Sequence, residues 1–370
     1  MTQLLIEGTV GPGFEPVERA FRQGFERLGE RGAAVAGFYL GEPVVDLWAG
    51  ESAPGAPWLP DTIVHVYSVT KPFAAVCLLR LVDGGAVELD APVAVYWPGF
   101  AQAGKAEVTV RWVLAHQAGM LGIEEPLPAE AIFDWDRIVH ALERAEPWWP
   151  PGTRIGEQAY FFGHLVGEIV RRVDGRTLGT FLRQEVTEPL GLDFQIGLGP
   201  DDEARCATVH ALERGWGERV LGETGSISAR ALGNPPGLLD LDVVNGSAWR
   251  RAEIPAVNGH GSARAVARFY AALSEGGTLG GIRILGGAMV REMAAVQSSS
   301  TDVLVGPGAS WGVGVDESGF GMGGLGGSYG GGDLARRFGF AYVTATMADH
   351  DRVDLVADAF EACVDAADGG

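Results

Sequence analysis

Apolar residues at Val17, Ala20, Phe21, Phe25 and Leu28 recur every three or four positions, which predicts a helix over Val17 to Arg31 that stops among Gly29 to Gly32. Two strand-like runs follow, Ala33 to Leu40 and Pro43 to Gly50, joined by a tight turn at Gly41-Glu42. The segment opening at Ser68 is apolar and helical in pattern until Asp83-Gly84-Gly85, where glycine stops it. From there to about Ile254 the pattern is mainly helical, with helices expected over Trp112 to Ala118, Phe133 to Glu146, Phe161 to Val173 and Leu178 to Glu188. A further helix, Ala263 to Glu275, ends in Gly276-Gly277. The chain then turns glycine-rich around Gly319 to Gly332, becomes strand-like at Phe338 to Met347 and closes with a helix at about Val353 to Ala366. Strands at both ends with helices between predict an α/β protein in two parts. Residues 1–85 and 255–370 are expected to form a discontinuous sheet domain, and residues 86–254 a mainly helical one.

Composition narrows the partners. The chain has 370 residues, enough to bury a full core, and 46% hydrophobic with 21% charged residues is ordinary for a soluble protein. A net charge of −20 argues against nucleic acid or an anionic membrane surface as partner. The first eight residues lack the basic start and apolar run of a signal peptide, and no run of about 18 apolar residues exists to span a membrane. Cys77, Cys206 and Cys363 lie far apart without metal-ligand spacing, and no His-x-x-x-His pair occurs. The expectation is a cytoplasmic protein with neither metal nor cofactor, acting on a small molecule and free to form a homo-oligomer.

Only two of the 28 basic residues are lysine, and one of them, Lys71, follows Ser68 by three positions. Arginine stays protonated in a protein, whereas a partly buried lysine can lose its proton and act as a base. A serine at a helix start with lysine one turn later places both side chains on one face. The positive end of the helix dipole favours an alkoxide on Ser68 and depresses the lysine pKa. That arrangement suits nucleophilic catalysis by a serine with an adjacent base, and Ser-x-x-Lys is a motif of penicillin-binding proteins and serine β-lactamases.

Further segments extend the likeness. They are Tyr67-Ser68-Val69-Thr70-Lys71-Pro72, Leu89-Asp90-Ala91-Pro92-Val93, Tyr96-Trp97-Pro98 and Leu114-Ala115-His116-Gln117-Ala118-Gly119. Pro150-Pro151-Gly152-Thr153, Gly163-His164-Leu165-Val166-Gly167-Glu168 and Glu188-Pro189-Leu190-Gly191-Leu192 follow in the same order. In this order they resemble the class C β-lactamase-related serine hydrolases, especially the esterase branch, over roughly Val64 to Met347. The resemblance implies a β-lactamase/transpeptidase-like fold: an antiparallel sheet flanked by helices, a mainly helical domain, and the active site between them.

The resemblance assigns roles and also marks departures. The family's second motif, Pro-Gly-x-x-x-x-Tyr-x-Asn, aligns with Pro151 to Ala159, so Glu157 stands where the tyrosine belongs and Ala159 replaces the asparagine. Tyr160 lies three residues on, so the spacing leaves open which of the two faces Ser68, although the match of Gly163 to Glu168 favours Glu157. An ionised Glu157 beside Lys71 would hold the lysine as ammonium and could itself take the Ser68 proton. The third motif, often Lys-Thr-Gly or His-x-Gly, aligns with Met322-Gly323-Gly324. Methionine donates no hydrogen bond, so the clamp for a β-lactam carboxylate is missing. The resemblance implies Ser68 and Leu325 amides as the oxyanion pair, and a cleft bordered by Trp149, Tyr160 and Trp311.

Gly326-Gly327-Ser328-Tyr329-Gly330 also fits the Gly-x-Ser-x-Gly nucleophile pattern, but it lacks a preceding strand and following helix, so Ser328 is read as structural. His116 and His65 are read as satisfied polar residues. The expected function is a serine esterase acting through a Ser68 acyl-enzyme on a small or lipophilic ester, with little β-lactamase activity. The alternatives are acyl transfer to an alcohol or amine, or a binding protein that kept the cleft.

Overall fold

The computed structural model describes residues 4–297, 301–305 and 319–369. The strands that frame the site are β1 (Ile6–Val10), β2 (Gly32–Tyr39), β3 (Glu42–Ala53), β4 (Val64–His65), β5 (Phe194–Ile196), β6 (Gly259–Gly261), β7 (Gly319–Gly323), β8 (Tyr329–Asp333) and β9 (Phe338–Thr344). The helices that matter most for the site are α1 (Glu15–Arg27), α2 (Lys71–Asp83), α3 (Phe162–Asp174), α4 (Ala263–Ser274) and α5 (Asp351–Asp368). The main sheet is antiparallel in the order β1-β3-β2-β9-β8-β7, with a two-residue strand at Ala56–Pro57 extending β3. Both chain ends therefore build one sheet, as the strand pattern predicts.

The β2–β3 hairpin turns through Leu40 and Gly41, both at positive φ (51° and 80°), the twist that two-residue hairpins prefer. Alternation then sorts the sheet's side chains to its two faces. Val35, Leu47, Phe340 and Tyr342 pack with Phe21 of α1 and Phe360 of α5. Ala36, Ala341 and Val343 face the larger core, which contains α4 and α2.

The glycine-rich tract is itself two strands, β7 and β8, rather than a connection leading to one. Glycine carries no apolar pattern, so alternation could not reveal them; the reason for the glycines is steric. A Cβ at Gly330 would lie 2.5 Å from Val266 Cγ1, and one at Gly339 only 2.3 Å from the Ala271 nitrogen. The missing side chains let α4 lie directly on β8 and β9.

A second, three-stranded sheet in the order β4-β6-β5 joins the strand before Ser68 to the chain near residue 259. Helix α3 packs against α2. None of the described helices is long and apolar enough to cross a membrane.

Two glycines give opposite expectations. Gly339→Ala should lower stability by about 2 kcal/mol, because its Cβ meets backbone that cannot yield. Gly24→Ala, in the interior of α1 with nothing within 4 Å of the new Cβ, should raise stability by about 1 kcal/mol. Urea midpoints of both variants check the packing argument.

Candidate active site

Strand β4 delivers the chain to a sharp bend. Val66 N–H donates to Gly259 O at 3.0 Å, and Tyr67 adopts φ 46°, ψ −128°, a costly conformation for a residue with a side chain. Ser68–Thr70 then form a single 3₁₀ turn before α2 begins at Lys71. The Thr70 hydroxyl fixes that turn by donating to Tyr67 O at 2.5 Å and accepting from Gly259 N–H at 2.8 Å. Ser68 is thus held at a strained strand-to-helix junction, and the one-turn spacing to Lys71 is preserved.

Lys71 Nζ has three acceptors: Ser68 Oγ at 2.7 Å, Ala256 O at 3.3 Å and Glu157 Oε1 at 3.1 Å. The lysine side chain is only 4% exposed and that of Glu157 12%. Burial pulls the ammonium below the usual lysine range, and the Glu157 carboxylate works against that pull. Glu157, not Tyr160, meets the lysine. The described contacts place Lys71, rather than Glu157, against the serine hydroxyl.

Glu157 owes its place to His116. The His116 carbonyl accepts from Gly156 N–H at 3.0 Å, and its Nδ1 accepts from Gln158 N–H at 3.1 Å. An imidazole can accept at Nδ1 only when neutral there, and burial, reinforced by the Lys71 charge, pushes its pKa down to about 3. His116 itself adopts φ 57°, which lets backbone and ring both reach the same strand of chain. The reading of His116 as a satisfied polar residue holds, but its hold on the residues flanking Glu157 joins positions 42 apart and had no local signal.

With this geometry in place, comparison with known proteins is decisive. The β-lactamase family model matches residues 17–362. The chain belongs to the β-lactamase family. The "Esterase/beta-lactamase LipL" of Mycobacterium tuberculosis (strain ATCC 25618 / H37Rv) is 35% identical over 310 residues, covering 77% of this chain and 68% of that protein. The crystal structure of a family VIII carboxylesterase superposes with a TM-score of 0.89 at 35% identity, over 97% of this chain and all of that one. A penicillin-binding protein homolog from Caulobacter crescentus gives 0.86 at 35% identity, with 97% of this chain and 100% of that chain covered. The β-lactamase/transpeptidase-like fold expected from the sequence is the fold observed.

The remaining expected residues of this β-lactamase-family site divide. Gly324 adjoins the serine turn so closely that a Cβ there would lie 2.3 Å from Val66 O. Leu325 follows it, and among the described residues neither its N–H nor that of Ser68 is spent on a hydrogen bond. Met322 and Gly323 lie on β7 opposite Gly330 and Tyr329, partly exposed. Trp149 is buried against Gly156 and donates to Arg154 O at 3.3 Å, so it backs the Glu157 segment.

Tyr160 is a correction. It is fully buried beside Phe161, its hydroxyl has no partner among the described residues, and burial raises its pKa. It is a core residue, because α3 starts two positions later and turns its ring inward. Trp311 lies outside the described residues. Ser328, 1% exposed, accepts from Thr344 N–H at 3.2 Å and is structural.

The second lysine was not singled out from the sequence, yet it too is buried. Lys105 donates to Glu143 O at 3.0 Å and to Ala145 O, closing the end of the helix Trp135–Arg144. Burial lowers its pKa to about 8.

Tyr160→Phe should leave turnover within about twofold and stability undiminished, since only an unpartnered buried hydroxyl is removed. Ester kinetics and thermal melting test this; a loss of activity beyond about tenfold would return Tyr160 to the site.

Proposed function

We propose that this chain is a serine esterase whose nucleophile is Ser68 and whose proton traffic runs through Lys71 to Glu157. The observation that carries this reading is the buried contact series Ser68 Oγ–Lys71 Nζ–Glu157 Oε1, at 2.7 and 3.1 Å. The family membership and the likeness to an esterase and a carboxylesterase support it.

The relay starts from the Lys71–Glu157 ion pair, Nζ to Oε1 at 3.1 Å. As Ser68 Oγ attacks the ester carbonyl, its proton passes to Lys71 Nζ while Lys71 hands one of its own to Glu157. The serine oxygen forms the new C–O bond, and the carbonyl oxygen becomes an oxyanion held by the amides of Ser68 and Leu325, which have no acceptor among the described residues. The proton returns by the same route to the departing alkoxide as the ester C–O bond breaks. Water, activated through the same pair, then releases the acid and regenerates Ser68. Lysine suits this relay because its amine exchanges protons, which arginine does not.

The substrate is a small or lipophilic ester. Met322 and Leu325 present apolar, partly exposed surface on the sheet side of the site. Neither side chain offers a donor for the carboxylate of a β-lactam, so β-lactams should be poor substrates.

Intact-mass spectrometry after treatment with a fluorophosphonate, and separately with an activated aryl ester, tests the nucleophile. One adduct on wild type and none on Ser68→Ala is expected; an unmodified wild type across a range of pH would remove the hydrolase reading. Lys71→Arg should lower kcat by about 10²–10⁴-fold, the usual worth of a positioned acid–base group. Turnover of a chromogenic cephalosporin should fall at least about 100-fold below that of the aryl ester in kcat/KM, about 2.7 kcal/mol in transition-state stabilisation.

A further inference from the structure

Glu30 lies between α1 and β2, on the sheet side of the molecule, and is buried together with Arg352 of α5. Its carboxylate collects donors from several directions. Oε1 accepts from Arg31 N–H at 2.8 Å, Gly32 N–H at 3.1 Å and the Thr346 hydroxyl at 2.6 Å. Oε2 accepts from the Tyr342 hydroxyl at 2.6 Å, the Thr344 hydroxyl at 2.8 Å and Arg352 Nη1 at 3.2 Å.

Two paths lead from this hub to the peptide on either side of Leu325. Arg352 Nη2 donates to Gly326 O at 3.2 Å, an oxygen that also accepts from Ala348 N–H at 3.1 Å. On the other side, Thr344 N–H donates to Ser328 Oγ at 3.2 Å, and Ser328 O accepts from Gly324 N–H at 2.7 Å. Gly324 and Gly326 are thus both tethered, while among the described residues the Leu325 N–H between them has no acceptor.

The tethering has a physical motive. Gly326 and Gly327 sit at φ +90° and +108° in a glycine-rich stretch with little stiffness of its own. A donor that stabilises an oxyanion must be fixed before charge develops. A buried ion pair is seldom the most stabilising way to fill a core, and this one ends on the carbonyl of Gly326, the residue after that donor.

We infer that Glu30 and Arg352, brought together from the two ends of the chain, are positioning residues for the Leu325 amide. The inference rests on the reading of Leu325 given under Proposed function. Arg352→Lys keeps a cation for Glu30 but lacks the fork that also reaches Gly326; Arg352→Met loses both contacts.

The test combines aryl-ester kinetics with hydrogen exchange on the full chain. Arg352→Lys should lower kcat about tenfold and Arg352→Met about 100-fold, with KM within about threefold, as expected for a donor felt mainly in the transition state. Amides in the peptide spanning Gly323 to Ser328 should exchange about tenfold faster in Arg352→Lys, with those of β2 unchanged. Wild-type kcat, or wild-type exchange in that peptide, in folded Arg352→Lys would overturn the inference. Should Arg352→Met not fold, Arg352→Lys decides alone. A wild type that never acylates Ser68 would remove the esterase reading and this inference with it, whatever the exchange result.

Discussion

A lysine ammonium held out of water is the constraint around which this site is arranged. Desolvation disfavours the charge, and the three acceptors around Lys71 Nζ compensate for it. Each comes from a different part of the chain: the turn before α2, the segment near residue 256, and the segment held by His116. Losing one partner of a buried ion pair costs about 3–5 kcal/mol, since the other charge is left behind uncompensated. Ser68, Lys71 and Glu157 therefore stand or fall together.

The scaffold serves that arrangement at several removes. The short β4-β6-β5 sheet sets the angle at which the chain enters the Tyr67 bend, and Thr70 fastens the bend to Gly259. His116 grips the residues on both sides of Glu157 while remaining neutral, so it adds no charge to compete with Lys71. Glycines in β8 and β9 bring α4 onto the sheet, and the Glu30–Arg352 pair reaches the end of the loop beyond β7. These contacts are long in sequence and short in space.

That separation explains what the sequence could and could not reveal. Amphipathic helices such as α1 and α4, and the β2–β3 hairpin, declare themselves through periodicity and turn residues. Strand β1 did not, because most of its residues are exposed and carry no alternating pattern, nor did β7 and β8, whose glycines make sense only against their neighbours in the fold, His350 and the Tyr329 hydroxyl for β7 and α4 for Gly330 and Gly332. Ser68 and Lys71 were legible because they lie one turn apart, and Glu157 through its spacing from Pro151-Gly152. The choice between Glu157 and Tyr160 turned on three residues of register, which only the packing of α3 decides. The hydrogen bond from Gln158 to His116 spans 42 positions and the Glu30–Arg352 pair spans 322, beyond the reach of any local pattern.

The pH dependence of kcat/KM in wild type and Glu157→Gln tests the relay most directly. If Glu157 is the proton's destination, the wild-type acid limb does not wait for a neutral Lys71 amine. Glu157→Gln must then rely on the neutral Lys71 amine, so its limb should move to higher pH while staying below the ordinary lysine value of 10.5. If neutral Lys71 were already the wild-type base, removing the carboxylate would take away the influence that raises its pKa, and the limb would move to lower pH. An upward shift is the predicted result; a downward or absent shift would contradict the account.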